Sequence, residues 1–406
     1  MGVSRGRERG VVLGIVVRQA LASLADNFSA PYVGYYLASI TSSGVLQGLL
    51  QFSTNSLPTA AQVLLGPLMD WWGRYITVLL TTSVAASLLW IAISLTIVPE
   101  VFVGLVTFRA IVVGLSGLAF TAFLGTVFSA ATRGRVLSLV NLVSQGVALS
   151  VFVFTAVFLT PDVSFLKYLF LFSGLVSLAA STIWIRLLHL DRNTSTKRNP
   201  GEKPPNPLKK VAQVASDKSF MKLNTAYAGY VAVMAAAWPW FPVAQRYVFR
   251  LSVSDLAVMN IASTLSTMVS QYLLMKYLSK LSLKWLIVAS RAGFVIPPLF
   301  YAIAPGPELV YLSSILTGPF AAIGNVVVPL YVLNKSRKGM YASYVSLLNF
   351  SQGMAAALGS IVGGVAMDYL VEFTGGYEGL RVGFGFVALA RAVMTVPFLK
   401  IDDSRQ

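Results

Sequence analysis

The sequence predicts an all-α membrane protein with twelve transmembrane helices in two pseudo-symmetric six-helix bundles. Of its 406 residues, 56% are hydrophobic and only 11% are charged, whereas about 25% of the residues in a soluble domain are charged. Twelve apolar runs are each long enough to cross a bilayer, which takes about 20 residues. The first six runs and the last six resemble each other, which predicts a duplicated architecture.

The predicted spans follow one another with short connections, apart from one long interruption. They cover residues 11–37, 44–69, 76–98, 101–128, 136–159, 165–188, 221–247, 255–275, 284–304, 308–332, 340–366 and 380–399. The interruption is rich in Lys, Arg, Pro, Ser and Thr and has no apolar periodicity, which indicates a linker. We therefore expect an N-terminal bundle over 1–188, a cytoplasmic linker over 189–219 and a C-terminal bundle over 220–406.

The distribution of basic residues predicts the orientation of these spans. A net charge of +16 in a soluble chain would suggest nucleic acid as a partner, but here the basic residues lie in the loops. The terminal segments and even-numbered loops hold 23 Lys and Arg, and the opposite loops hold 4. By the positive-inside rule, both termini face the cytoplasm of a cell-membrane protein whose basic loops contact anionic lipids.

Several classes of function lack the residues that they require. The chain has no Cys and a single His, His189, which lies in the linker. Disulfides and thiolate or His-rich metal sites are therefore excluded, and we expect neither a metal nor a cofactor. There is no nucleotide-binding loop of the Gly-x-x-x-x-Gly-Lys-Ser/Thr type, so any transport should depend on a gradient.

A short charged turn, Gly66-Pro67-Leu68-Met69-Asp70-Trp71-Trp72-Gly73-Arg74, joins the second and third spans. It resembles the loop signature of the major facilitator superfamily at Gly66, Leu68, Asp70, Gly73 and Arg74. The resemblance implies two six-helix bundles around a central path, with alternating access to a substrate between them. It also implies a cytoplasmic gate in which Asp70 pairs with Arg74, Arg133 or Arg135.

The two halves match at two equivalent places. Residues 68–74 align with 274–280, and Ser144-Gln145-Gly146 aligns with Ser351-Gln352-Gly353. Lys276 replaces Asp70 in the second copy. We therefore expect the cytoplasmic gate elements of the two halves to differ.

Polar side chains within the spans indicate which helices face a cavity, because a buried amide is costly in lipid. The third, sixth, ninth and twelfth spans contain no Asn or Gln, and the superfamily places those four outside against lipid. The candidate substrate-binding amides in other spans are Gln19, Asn27, Gln51, Asn55, Asn141, Gln145, Asn260, Gln271, Asn325 and Gln352. The alternative is that these amides only join helices together. Small residues such as Gly114, Gly117, Gly359 and Gly363 predict close helix packing.

Five ionisable residues lie away from the ends of the predicted spans. Arg18, Arg291 and Arg391 are each within about 10 residues of the cytoplasmic end, so we expect their side chains to reach the interface. Asp26 and Arg109 lie deeper, and at 1.5 Å per residue their depths overlap. Asp26 is therefore either the proton-coupling or substrate-polarising group or one half of a structural ion pair with Arg109, or it is simply solvated in the cavity.

Together these features predict a monomeric secondary transporter that moves a small molecule, with protons as the coupling ion. A lipid flippase or a ligand sensor would share the fold. An intramembrane enzyme would require a nucleophile with a base or paired carboxylates, and the spans have no Cys, no His and a single carboxylate away from their ends.

The orientation can be tested with single cysteines, because the chain has no native Cys. An impermeant thiol reagent added to whole cells should label Ser254→Cys in an outer loop and spare Ser195→Cys in the linker. Labelling of position 195 with protection of position 254 would reverse the orientation.

Overall fold

The computed structural model describes residues 5–128, 130–158, 163–189, 191, 212–277, 281–336 and 341–402, and these ranges contain helices and turns but no strand. The helices are α1 (Arg5–Ser29), α2 (Val33–Ile40), α3 (Gly44–Asn55), α4 (Leu57–Trp72), α5 (Tyr75–Leu95), α6 (Pro99–Val127), α7 (Ala130–Phe158), α8 (Leu166–Leu187), α9 (Lys218–Ala236), α10 (Trp240–Val243), α11 (Val253–Tyr277), α12 (Leu283–Gly293), α13 (Ile296–Ile303), α14 (Pro307–Lys335), α15 (Tyr341–Thr374) and α16 (Gly379–Thr395).

The helices confirm the predicted fold class. Among the described residues, nine helical segments are long and apolar enough to cross a membrane. The segments predicted as the second, seventh and eighth spans are helical as well, so twelve spans are consistent with the structure. Several spans are built from two helices with a break between them, as in α3 and α4 or α12 and α13.

Local sequence explains where individual helices begin and end. Ser43 caps α3, since its side chain accepts a hydrogen bond from the Leu46 amide (3.2 Å). Asp217 caps α9 in the same way, through the Ser219 amide (3.1 Å). Helix α4 ends at Trp72, and the following Gly73 has a φ of 65°, in the left-handed region that glycine adopts readily.

Two carboxylates cap helices that are distant in sequence. Asp191 accepts hydrogen bonds from the amides of Ile76 (2.9 Å) and Thr77 (2.7 Å) at the start of α5. Asp368 in α15 accepts one from the Gly44 amide (2.6 Å) at the start of α3. An acidic group at a helix N-terminus binds unpaired N–H groups and complements the helix dipole.

The described helices form two compact units. Unit 1 comprises the described residues of Met1–Tyr36 and Leu57–Pro205, and unit 2 those of Leu37–Ser56 and Asn206–Gln406. In unit 1, α1 packs against α7 and α8, while α5 packs against α6 and α8. In unit 2, α9 and α3 both pack against α15, and α11 packs against α14. Helix α3, the first half of the second predicted span, thus lies in unit 2.

The predicted small-residue packing is confirmed in the eleventh span. A Cβ atom added to Gly359 would lie 2.0 Å from the Ala232 carbonyl oxygen, and one added to Gly363 would lie 1.9 Å from that of Ala236. Both distances are far below van der Waals contact. Helices α9 and α15 therefore approach so closely that only glycine fits at these two positions.

In the fourth span the same prediction is right at one glycine and wrong at another. A Cβ atom at Gly114 would lie 2.6 Å from the Pro58 Cβ atom. By contrast, no atom of a neighbouring helix in the described part of the chain lies within 4 Å of a Cβ atom at Gly117. Gly117 instead lines a cavity. Regular spacing of glycines did not reveal which of them faces a neighbouring helix.

We expect Gly359→Ala and Gly363→Ala each to lower the apparent Tm of the purified protein in detergent, because the added methyl group would push α9 and α15 apart. Gly117→Ala is the matched control within a span, and its higher helix propensity should raise stability by about 0.5–1 kcal/mol. Equal effects at all three positions would contradict the close packing of α9 on α15.

Candidate functional site

A cavity of about 370 Å³ lies within unit 1 among helices α1, α5, α6, α7 and α8. Its polar lining comprises Arg18, Gln19, Asp26, Thr82, Ser83, Arg109, Ser116, Asn141 and Ser177. Four of the predicted site residues, Gln19, Asp26, Arg109 and Asn141, therefore meet around one space. Its volume falls within the range of small-molecule sites, about 300–1,000 Å³.

Asp26 of α1 and Arg109 of α6 form an ion pair through Oδ1 and Nη2. The Arg109 side chain is only 13% exposed, whereas that of Asp26 is 46% exposed. The guanidinium group also lies 4.0 Å from the centre of the Trp90 ring, which itself stacks on Phe170 at 5.4 Å. Arg109 is thus held by an aromatic ring and a carboxylate, and Asp26 presents its charge to the cavity.

Arg18 contributes a second cation to this cavity, contrary to the prediction that its side chain reaches the interface. Its Nη2 atom donates to the Ser83 hydroxyl (3.1 Å), and its guanidinium group lies 5.2 Å from the centre of the Trp184 ring. The wall of the unit 1 cavity therefore carries two arginines and one aspartate.

The Gln19 amide and the Ser23 hydroxyl of α1 bind the neighbouring helix α7, whereas the Asn27 amide binds within α1. Gln19 Nε2 donates to the Ser144 hydroxyl of α7 (3.2 Å), and the Ser23 hydroxyl donates to the Ser144 carbonyl oxygen (2.9 Å). Asn27 Nδ2 donates to the Ser23 carbonyl oxygen one turn earlier (2.7 Å). The two bonds to Ser144 set the position of α1, and hence of Asp26, against α7.

A second cavity, of about 580 Å³, lies within unit 2 and is lined by Asn325 and Gln352 of the predicted set. It is also lined by Arg291 and Arg391, which are only 3% and 2% exposed. The prediction that these two side chains reach the interface is wrong. The ninth and twelfth spans lack Asn and Gln, yet each turns an arginine into the cavity.

The remaining predicted residues do not line either cavity. Asn55 Nδ2 donates to the Gln51 carbonyl oxygen (2.9 Å), a bond within α3. Gln145, Asn260 and Gln271 are half-buried on α7 and α11.

The predicted cytoplasmic gate is described in part. Gly73 and Arg74 form the turn between α4 and α5, in which Gly73 is half-buried and Arg74 is exposed. The side chains of Leu68, Asp70, Arg133 and Arg135, together with the surroundings of Gly66, lie outside the described part of the chain. Most of the 189–219 segment lies outside it as well.

Comparison with known proteins gives consistent results. The family model of the Major Facilitator Superfamily matches residues 15–360. The structure is similar to that of the nucleoside transporter NupG, with a TM-score of 0.71 at 13% identity over 96% of this chain and 99% of that chain. The structure of a bacterial homologue of the human lysosomal transporter Spinster gives a TM-score of 0.69 at 13% identity, over 98% of this chain and 99% of that chain. The structure of a D-xylose–proton symporter gives a TM-score of 0.63 at 14% identity, over 97% of this chain and 98% of that chain. A search of curated proteins found no match.

A double-mutant cycle measures the interaction between Asp26 and Arg109. Asp26→Ala should lower the apparent Tm in detergent more than Arg109→Met, because it leaves a nearly buried guanidinium group without its carboxylate. The double variant should lose less stability than the two single variants lose together, with a coupling energy of about 0.5–3 kcal/mol.

Asn141→Ala is the control for this cycle. Asn141 is an exposed residue that lines the same cavity, and its substitution should leave the apparent Tm almost unchanged. Additive effects of the two charge substitutions would contradict a stabilising ion pair.

Proposed function

The chain belongs to the Major Facilitator Superfamily, and from this premise we propose that it is a secondary active transporter that moves a small molecule by alternating access. Its apolar helices make it a multi-pass integral membrane protein. We further propose that it works as a monomer in the cell membrane, with both termini and the 189–219 linker in the cytoplasm. Residues 1–188 and 220–406 would be the two bundles that open the path alternately.

The coupling ion in this proposal is the proton, and Asp26 is the group that carries it. The observation that supports this role is the asymmetric ion pair, in which Asp26 is 46% exposed at a cavity while Arg109 is 13% exposed. In the proposed cycle, a conformational change would separate Asp26 from Arg109, and the carboxyl group would take up a proton in one state and release it in the other.

A permanent structural pair is the alternative reading of the same contact. Keeping an unpaired carboxylate within a membrane span costs about 2.5 kcal/mol or more, so a partner would be needed even without any role in coupling. The two readings differ in what happens when Asp26 is neutralised. If the pair is structural, the variant with a neutral residue at position 26 should fail to fold. If Asp26 is a coupling group, the variant should fold and lose only proton-driven accumulation.

The cytoplasmic turn of Gly66, Leu68, Asp70, Gly73 and Arg74 is part of the proposal as the gate on the inner side. Asp70 would pair with Arg74, or with Arg133 or Arg135 at the start of α7, and favour the outward-open state of the transporter. An exposed ion pair contributes only about 0–1 kcal/mol. Its effect would therefore fall on the balance between states and the rate of transport more than on stability.

Two other functions on the same fold are a lipid flippase and a ligand sensor. Both are distinguished from a secondary transporter by uptake into sealed vesicles, because neither accumulates a soluble substrate against its gradient. An enzyme is a weaker alternative, because the family points to transport.

The test uses protein reconstituted in proteoliposomes with labelled D-xylose, uridine and 2-naphthoate, which represent a sugar, a nucleoside and an aromatic carboxylate. Imposing a pH gradient in either direction should drive accumulation of at least one of them. In Asp26→Asn, accumulation should disappear while counterflow exchange of that substrate is retained, because exchange needs no net movement of protons.

Glu100→Gln is the matched control, since Glu100 is an exposed acid at the first turn of α6, and it should accumulate substrate like the unmodified protein. Normal accumulation by Asp26→Asn under a proton gradient would remove Asp26 from the coupling role. If Asp26→Asn fails to fold and is rescued by Arg109→Met, the structural pair is the correct reading.

A further inference from the structure

The unit 2 cavity holds two buried cations without an acidic residue in its described lining. Arg291 of α12 and Arg391 of α16 are its only charged lining residues there, and Asn325, Asn349 and Gln352 add three amides. Burying a charge among apolar groups is costly unless a partner compensates it. In unit 1 the partner of Arg109 is Asp26. No acid among the described lining residues takes this role for the arginines of unit 2.

Both terminal nitrogen atoms of Arg391 bind backbone carbonyl oxygens, and its Nε atom is buried without a hydrogen-bond partner. Its Nη1 atom donates to the Phe294 carbonyl oxygen and its Nη2 atom to the Met234 carbonyl oxygen, both at 2.8 Å. The first carbonyl is available because Pro298, four residues later, has no N–H to donate. The second is available because the Trp238 amide donates to Ala235 instead (3.1 Å). Arg391 therefore joins the end of α9 to the break between α12 and α13.

Arg291 has no comparable set of acceptors. Its Nη2 atom donates to the neighbouring Ser290 hydroxyl (3.0 Å), and its Nε atom is buried without a hydrogen-bond partner. Its guanidinium group lies 4.8 Å from the centre of the Tyr227 ring and 5.1 Å from that of Phe294. Aromatic faces attract a cation but leave most of the five N–H donors of arginine unused.

Space beside the Arg291 guanidinium group is kept open by Gly324 of α14. A Cβ atom at this position would lie 3.1 Å from Nη2, so a larger side chain would occupy the approach to the donors. Trp238 and Phe241 provide an apolar wall of the same cavity. A ligand that fits this lining has an anionic head for Arg291 and an aromatic or apolar body.

We propose that the unit 2 cavity binds a small organic anion, and that Arg291 pairs with its carboxylate or phosphate group. This inference rests on the proposed transport function, since it names the class of substrate that the transporter would carry. The planar guanidinium group forms two parallel hydrogen bonds with either head group. The amides of Asn325, Asn349 and Gln352 then orient the rest of the molecule.

The test compares three probes on one ring system, 2-naphthoate, 2-naphthyl phosphate and the neutral 2-naphthamide, by titration calorimetry on the full-length protein in detergent. At least one anion should bind tenfold or more tightly than the amide, and the better anion identifies the head group. In Arg291→Gln that anion should lose tenfold or more in affinity while the amide binds as before, which also shows that the variant is folded. Arg291→Lys should recover only part of the loss because lysine lacks the planar fork.

Gly324→Val provides an independent test that retains the charge and remains decisive if Arg291→Gln does not fold. Its larger side chain should exclude the anion from the guanidinium group, so wild-type affinity in this variant would contradict the proposal. Lys284→Gln removes a cation from the same helix as Arg291 but outside the cavity lining, and it should leave anion binding unchanged. Loss of binding in Arg109→Met but not in Arg291→Gln would place the anion in unit 1 and overturn the proposal, as would failure of both anions to bind better than the amide.

The binding assay also separates this proposal from the transport function. Anion binding that depends on Arg291, without uptake into proteoliposomes, would support the site and contradict transport. Uptake of a neutral sugar or nucleoside, with no preference for the anions in binding, would support transport and contradict the anion site.

Discussion

A charged side chain among apolar helices must be matched by an opposite charge or by hydrogen-bond acceptors, and this requirement shapes both units of the structure. In unit 1, Arg109 contacts Asp26 and the Trp90 ring. In unit 2, Arg391 binds two backbone carbonyl oxygens. The helices that carry these residues are fixed in position by the partners that the charges require, because leaving such a charge unpaired would cost several kcal/mol.

Breaks in the helices supply backbone carbonyl oxygens that can bind a buried arginine. In an unbroken helix each interior carbonyl oxygen already accepts one backbone hydrogen bond, whereas a carbonyl group at a break keeps its full capacity for a buried arginine. Pro298 leaves the Phe294 carbonyl free, and Arg391 binds it. Irregular backbone of this kind is tolerated within a membrane only where it is buried in protein or faces a cavity, and both conditions are met around the unit 2 cavity.

The two cavities differ in how their charges are balanced, and this difference separates two proposed tasks. The unit 1 cavity contains an acid beside arginines, and this acid is the group to which we assign proton coupling. The unit 2 cavity contains arginines without an acid among its described lining residues, a combination that favours an anionic ligand. Proton coupling and substrate binding would then depend on different residues, so that substitutions can affect one without the other.

The sequence by itself determined the fold class and much of the unit 1 cavity. Span length, hydropathy and the loop signature depend on composition and local order, and the depths of Asp26 and Arg109 follow from counting residues along helices. Only the tertiary structure decided that these two residues pair, that α3 lies in unit 2, and that Arg291 and Arg391 turn inward. The physical reason is that a span which is apolar on every side has no periodicity to mark its inner face. The rotation of such a helix is set by the particular carbonyl groups and rings that meet its arginine, and these come from distant parts of the chain.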